Sequence, residues 1–200
     1  MKQTARWMWG DLQRTFLKDP FSQITKVDAV YVPSYGLARG GKRLTYASQL
    51  SMLYAAYYFT ALRARYLILP TPFHKALAAE ERRLKKKFLR DTVPNTAQIF
   101  LGGYTQSIEE TGLFLYEVEK SDLKSVCVIG ANAHLPRVLW QIYAQNKKLS
   151  VKAVGFDTIL EPYESTSWWK GYTNHRFLWM PWNALGYLVT PHLIKRAREE

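Results

Sequence analysis

The sequence is poor in residues that build covalent or metal-bound frameworks. Cys127 is the single cysteine among 200 residues, so neither a disulfide framework nor a cysteine-based zinc cluster can form within the chain. No apolar run approaches the roughly 18 residues of a membrane-spanning helix. Residues 1–16 also lack the apolar core of a secretory signal. From these absences we expect a cytoplasmic protein whose membrane contact, if any, is peripheral.

Acidic residues are also scarce. The chain has 16 Asp and Glu against 28 Lys and Arg, which gives a net charge of +12. Residues 37–90 hold twelve Lys or Arg and two Glu, and therefore +10 of that charge. Such a block suggests a phosphate-bearing partner, such as a nucleotide, an anionic lipid or a nucleic acid. An ordinary solvated helix face at residues 80–90 explains it equally well.

Short apolar runs alternate with longer helical patterns from residue 27 to residue 160. The runs are typical of buried strands, and the segments between them have the length of helices that connect parallel strands. The sequence predicts a single α/β domain with a doubly wound, mostly parallel sheet of about five strands and helices on both faces, which is a Rossmann-like fold. The expected strands are 27–32, 65–70, 97–102, 125–130 and 150–156, and the expected helices are 44–64, 74–90, 107–119 and 135–145.

The flanks of this core have a different character. Residues 1–20 are predicted to form an amino-terminal helix that ends near Pro20. Residues 161–200 form a Trp-rich extension with scattered Lys and Arg. Its pattern fits a helix that buries its aromatic face on the domain, or a segment that contacts a membrane interface.

The first expected helix, 44–64, is rich in Ala, Leu and Tyr. Leu50, Leu53, Ala56 and Tyr57 lie on one stripe at helical spacing. We therefore expect this stripe to pack against the sheet.

Polar residues follow the first expected strand, at the edge where parallel α/β sheets bind ligands. The turn at residues 33–43 contains Ser34, the flexible Gly36 and the basic Arg43, which could meet an anion near the start of the next helix. The turn matches neither the Walker A loop nor the GxGxxG fingerprint. An ordinary surface loop would also explain this turn.

The next two strands end in similar groups. Thr71 follows the second strand as a candidate helix cap, with Glu80 or Glu81 as a candidate inward-facing acid. After the third strand, Ser107 and Glu110 have the S-x-x-E spacing of a capping box, which accounts for both residues without a ligand. The capping box does not account for the accompanying Gln106 and Glu109, which are further candidates.

The most informative group follows the fourth strand, where Asn132, His134 and Arg137 come within six residues. His134 and Arg137 are three residues apart, so they project to one side of a first helical turn. Arginine offers a planar fork for phosphate or carboxylate. Histidine can bind the same ligand or move a proton near neutral pH. An ion pair between Arg137 and a carboxylate such as Glu109 or Glu110 is the simpler local alternative.

Taken together, these groups resemble the motifs of the ElyC/SanA/YdcF family, bacterial Rossmann-like domains often tied to cell-envelope processes. Asp28, Gly36, Arg43 and Ala47 stand where that family has an Asp at a strand start, a glycine-rich turn, and an Arg a few residues before an Ala in the first long helix. Residues 106–109 resemble its Asn-Thr-x-Glu motif, and residues 129–137 resemble its strand that ends in small polar residues followed by His-x-x-Arg. The resemblance covers roughly residues 27–160 and implies a shared fold.

The leading hypothesis is a domain that binds an anionic, phosphorylated or nucleotide-like small molecule at the carboxyl ends of the strands. Arg43 and Arg137 would clamp the anion, His134 would bond to it or shuttle a proton, and Glu109 would orient either partner. The remaining candidate ligand-binding residues are Ser34, Gly36, Thr71, Gln106, Ser107, Glu110 and Asn132. No cofactor beyond such a nucleotide-like ligand is implied.

Two other classes of function remain open from the sequence. A hydrolase or transferase acting on a phosphate ester would use His134 or Glu109 as general acid or base, although the sequence offers no recognisable nucleophile or metal-binding carboxylate cluster. A peripheral membrane or nucleic-acid-binding protein would use the basic helix 80–90 and the Trp-rich extension. Nucleic acid ranks lowest because no recognition motif accompanies the charge.

Overall fold

A computed structural model of the chain describes residues 26–38, 40–72, 75–104, 107–132 and 134–156. Within these ranges, five strands alternate with four α-helices and one short 3₁₀ helix. In chain order the elements are β1 (Ala29–Tyr31), α1 (Tyr46–Ala61), β2 (Tyr66–Pro72), α2 (Lys75–Leu89), the 3₁₀ helix Asn95–Ala97, β3 (Gln98–Tyr104), α3 (Ser107–Lys120), β4 (Ser125–Ala131), α4 (Leu135–Gln145) and β5 (Ser150–Phe156).

The five strands form one parallel sheet in the order β3-β2-β1-β4-β5. This confirms the predicted Rossmann-like α/β fold. The chain first moves outward from β1 to β2 and β3, and then crosses back to β4 on the other side of β1. The loops that follow β1 and β4 therefore leave the sheet in opposite directions. In such folds a crevice opens at this point, outside the carboxyl ends of the strands.

Helices cover both faces of the sheet. Helices α1 and α2 pack on one face, over a core that includes Val30, Leu67 and Ile129. Helices α3 and α4 pack on the other face, where Tyr31 stacks on Phe114 with ring centroids 4.0 Å apart. Successive strand residues point to opposite faces, which explains why the strands read as continuous apolar runs.

The face of α1 that packs on the sheet matches the expected one only in part, since Leu50 and Ala56 pack against the core. Leu53 and Tyr57 are 56 % and 66 % exposed. The buried residues of α1 are Ser48, Ser51, Met52 and Ala55. Because α1 is apolar nearly all round, hydrophobic periodicity does not mark which side is inside. The two buried serines are satisfied locally, since Ser48 Oγ donates to Gly36 O at 2.9 Å and Ser51 Oγ donates to Ser48 O at 2.8 Å.

Several expectations concern residues outside the described ranges. The predicted amino-terminal helix falls in residues 1–25, and the Trp-rich extension falls in residues 157–200. Both stay predictions. Among the residues that the structure does describe, no helix combines the length and apolar character needed to cross a membrane.

Candidate functional site

Tyr35 joins the two loops that border the crevice between β1 and β4. Its hydroxyl oxygen accepts a hydrogen bond from Ala131 N at 2.7 Å, and its ring lies edge-on to the His134 ring with centroids 5.7 Å apart. Gly130 makes room for this contact, since a Cβ there would lie 3.0 Å from the Tyr35 hydroxyl. Burial raises the pKa of Tyr35 above its ordinary value, so the hydroxyl keeps its hydrogen at neutral pH.

His134 and Arg137 project to the same side at the start of α4, as their spacing predicted. Arg137 Nη2 lies 3.0 Å from His134 Nε2. Burial, and then the charge of Arg137, lower the pKa of His134 well below 6.5, so the ring is neutral at neutral pH. An arginine can only donate, so Nε2 accepts and the ring proton sits on Nδ1. His134 therefore holds the Arg137 guanidinium in place and does not offer a proton from Nε2.

Asn132 follows β4 and packs over β5. Its main-chain N–H donates to Phe156 O at 2.9 Å. Its side chain fills the space above Gly155, where an added Cβ would lie 1.7 Å from Asn132 Oδ1. A glycine at position 155 is therefore what lets the Asn132 amide occupy its place beside the crevice.

This contact predicts the effect of Gly155→Ala. The new methyl group must push the Asn132 side chain aside, and overpacking of this kind costs about 1–3 kcal/mol of unfolding free energy. The side-chain amide signals of Asn132 in an NMR spectrum should shift at the same time. Gly112→Ala is the matched control, because a Cβ there meets no atom within 4 Å and alanine favours the α3 helix. Unchanged Asn132 signals in Gly155→Ala would contradict the packing described.

A buried polar cluster fixes the loop after β1; we call it the Ser34 network, and it consists of Tyr31, Ser34, Glu81, Lys85 and Glu110. On one side, Glu110 Oε1 accepts from the Tyr31 hydroxyl at 2.9 Å and from Ser34 N at 3.1 Å. Burial raises the pKa of Glu110 to about 7, although these two hydrogen bonds lower it. The carboxyl group of Glu110 is therefore partly protonated at neutral pH.

The other side of the Ser34 network lies on α2. Glu81 Oε1 accepts from Ser34 Oγ at 2.7 Å and lies 2.6 Å from Lys85 Nζ, and both charged side chains are buried. Lys85 Nζ also donates to Pro70 O at 2.9 Å. Glu81 is thus the inward-facing acid of the two candidates. Ser34 is held from both helix layers, through its amide by α3 and through its hydroxyl by α2.

Two expectations about helix caps are wrong. Glu110 was expected to complete a capping box with Ser107, but α3 begins at Ser107, and Glu110 accepts from β1 and its loop. Thr71 was expected to cap α2, but it lies within β2 and donates through Oγ1 to Leu101 O at 2.9 Å. The spacings in the sequence were compatible with caps. In the structure, both side chains instead form hydrogen bonds with residues 30 and 79 positions away in the chain.

The remaining described candidates are exposed or support the backbone. Gly36 has φ of 74°, a conformation that favours glycine, and its carbonyl accepts from Ser48 Oγ near the start of α1. Arg43 and Glu109 are exposed. Their roles toward a ligand stay predictions, as do those of Gln106 and the Ser107 side chain, which lie outside what the structure describes.

Asp28 lies at the amino ends of the strands, opposite the carboxyl ends where the crevice is expected. Its Oδ2 accepts from Lys124 N and Ser125 N at 2.9 Å and from Ser125 Oγ at 3.0 Å. These bonds tie the start of β1 to the start of β4, far from the crevice at the carboxyl ends. This member of the family-like motif set therefore has a structural role in the sheet.

The structure thus brings together polar groups from both sides of the switch point. Ser34 and Tyr35 follow β1, while Asn132, His134 and Arg137 follow β4, so all five lie at the carboxyl ends of these two strands. Sequence reasoning missed Tyr35, Tyr31 and Lys85. Tyrosines look like core residues in an aromatic-rich chain, and Lys85 lies within a charged run typical of a solvated helix face.

The described residues limit the chemistry in two ways. None of them form a group of three or more His, Cys, Asp or Glu that could hold a metal ion. Cys127 is buried in β4, and burial raises the pKa of its thiol to about 12, so it is not an activated nucleophile. The arrangement places a guanidinium, an imidazole and a tyrosine hydroxyl together at the carboxyl ends of β1 and β4.

Comparison with known proteins adds no assignment to this geometry. No protein-family model matches the chain, and no curated protein matches it. The motif resemblance stated above therefore stays a prediction, and the comparisons identify no family to which the chain belongs.

Proposed function

We propose that the chain binds an anionic, phosphorylated or nucleotide-like small molecule over the crevice between β1 and β4. The observation that carries the proposal is the Arg137 guanidinium held 3.0 Å from a neutral His134 at the end of β4. This contact fixes the position of the guanidinium at the edge where doubly wound sheets bind ligands, so Arg137 is placed to meet an anion there.

Neighbouring groups support the same ligand class. Arg137 lies in the first turn of α4, whose amino-terminal dipole also favours an anion. The Tyr35 hydroxyl keeps its hydrogen and can donate it to a ligand oxygen. The guanidinium fork can bind two oxygens of one phosphate at once, which adds geometric selectivity.

The Ser34 network supports binding by fixing one wall of the crevice. Ser34 is anchored by Glu110 and by Glu81, so the loop after β1 does not need to be ordered when a ligand arrives. A loop that is ordered beforehand loses less conformational entropy on binding. The motif resemblance to the ElyC/SanA/YdcF family agrees with this proposal and adds a setting in cell-envelope metabolism.

Binding is favoured over turnover by the state of His134 and of the single thiol, Cys127. His134 is neutral and its Nε2 already accepts from Arg137, so the ring does not serve as a general base through that atom. The single thiol is buried and protonated. A sensor or accessory domain fits these observations better than a phosphate-ester hydrolase or transferase.

The test combines native mass spectrometry with calorimetric titration of a nucleotide panel. We expect freshly purified wild-type protein to carry an anionic small molecule that Arg137→Ala lacks. Loss of one charge-assisted contact of this kind weakens binding by about 1.5–3 kcal/mol, or roughly 10- to 150-fold. Arg137→Lys should recover part of the loss, because the charge returns without the planar fork.

Lys148→Ala serves as the control, since it removes an exposed positive charge away from the crevice. This variant should bind like the wild type. Equal affinity of Arg137→Ala and wild-type protein for the ligand found would overturn the proposal.

A further inference from the structure

The α1–α2 layer carries most of the large exposed hydrophobic side chains of the described residues. Four of the five large exposed hydrophobic side chains in the described ranges lie here. Leu53 and Tyr57 belong to α1, while Leu77 and Phe88, which are 40 % and 37 % exposed, belong to α2. The fifth, Tyr116, lies on α3 in the other layer. Contact with another surface on this side of the molecule would remove these side chains from water.

The same layer carries the strongest positive charge of the described chain. Helix α2 and the residue directly after it expose five cations, which we call the α2 basic face: Arg82, Arg83, Lys86, Lys87 and Arg90. Two nearby acids offset part of this charge. Glu80 pairs with Arg83 at 2.6 Å, and Asp91 is exposed just beyond the helix. A net positive surface therefore lies beside the apolar groups.

The positive surface extends to the edge of the sheet. Phe100 in the edge strand β3 lies beneath two of these cations, with Arg82 Cζ 5.4 Å and Lys86 Nζ 5.6 Å from its ring centroid. Such contacts keep the two side chains spread along the surface. The α2 basic face is thus a broad area of charge bordered by aromatic and aliphatic groups.

We propose that this layer docks the protein on an anionic lipid surface, with the α2 basic face against the headgroups and the exposed apolar side chains at the interface. Binding to an anionic lipid interface is strengthened both by cations and by apolar side chains. Binding to the phosphates of a nucleic acid is strengthened mainly by the cations. It would give no role to the exposed side chains of Leu53 and Tyr57. The surface lies on a face of the sheet, whereas the crevice lies at its carboxyl edge. Membrane docking is therefore separate from ligand binding.

The experiment is a sedimentation assay with vesicles of phosphatidylcholine mixed with phosphatidylglycerol, compared with phosphatidylcholine alone. We expect wild-type protein to bind the mixed vesicles and to dissociate as salt is raised. Each cation near an anionic membrane contributes roughly fivefold to partitioning. The triple variant Lys86→Ala, Lys87→Ala, Arg90→Ala should therefore bind about a hundredfold more weakly.

The matched control removes the same charge elsewhere, through Lys120→Ala, Lys147→Ala and Lys148→Ala, all at exposed positions. It should bind within a few-fold of the wild type. Arg137→Ala should also bind vesicles normally, which separates this proposal from the proposed ligand site. Thermal unfolding checks that each variant is folded.

A second variant tests the apolar part without changing charge. Leu53→Ser with Tyr57→Ser should weaken vesicle binding while the dependence on salt stays the same. Equal weakening by the two triple variants would reduce the effect to net charge and overturn the proposal. So would absence of wild-type binding to the mixed vesicles, or binding to duplex DNA that survives Leu53→Ser with Tyr57→Ser and outcompetes vesicles.

Discussion

Lys85→Met is expected to lower the free energy of unfolding by about 3–5 kcal/mol, as measured by urea denaturation. Lys85 Nζ and Glu81 Oε1 are 2.6 Å apart, and both side chains are buried. Methionine fills a similar volume but leaves the Glu81 carboxylate without its cation in a low-dielectric site. The carbonyl of Pro70 loses a donor as well. Most of the lost stability comes from leaving the buried Glu81 charge without a partner, and less comes from the lost contact itself.

The double variant Glu81→Leu, Lys85→Met separates the effect of the unpaired buried charge from the effect of the lost contact. Replacing a buried ion pair by apolar residues of similar size is often neutral, so we expect most of the lost stability to return. Arg83→Met is the surface control, because its pair with Glu80 is exposed and such pairs contribute at most about 1 kcal/mol. A single Lys85→Met variant as stable as the wild type would refute the role of the pair.

Glu110 is expected to make stability fall as pH rises from about 4.5 to about 7. Its folded-state pKa is about 7, against an ordinary value of 4.5. Between these values the folded protein holds a proton that the unfolded chain releases, so raising the pH favours unfolding. The stabilisation is fully present below pH 4.5 and is lost once pH exceeds 7, with a total of about 3 kcal/mol.

His134 acts in the opposite sense and must be separated from Glu110. Its pKa is lowered in the folded state, so its contribution is lost as pH falls below 6.5. Comparison with Glu110→Gln isolates the carboxyl group, because the amide oxygen still accepts from Tyr31 and Ser34 but does not titrate. The stability difference between wild type and Glu110→Gln should change by about 3 kcal/mol across this window. Parallel pH profiles for the two proteins would contradict the prediction.

Elements with a strong pattern could be predicted closely from the sequence. The expected bounds of α4 and β5 match the structure residue for residue, because α4 has one clear apolar face and β5 is a short run between polar residues. The buried face of α1 could be predicted only in part, because a helix with apolar residues on all sides does not indicate which side faces the core.

Spacing along the chain predicted the contacts within one helical turn, but it did not predict the contacts between distant residues. His134 and Arg137 meet as expected because their contact lies within one helical turn. The partners of Glu110 were not predictable in this way, since Tyr31 and Ser34 precede it by 79 and 76 residues. Tyr35 was missed for the same reason, because its contact with Ala131 exists only once β1 and β4 are adjacent.

The two glycines at the ends of β4 and β5 constrain how this chain can evolve. Gly130 lies against the Tyr35 hydroxyl, and Gly155 lies against the Asn132 amide. A larger residue at either strand position requires a smaller one at its partner. In an alignment of homologues, position 130 should therefore covary with position 35, and position 155 with position 132, so that each pair behaves as one inherited unit.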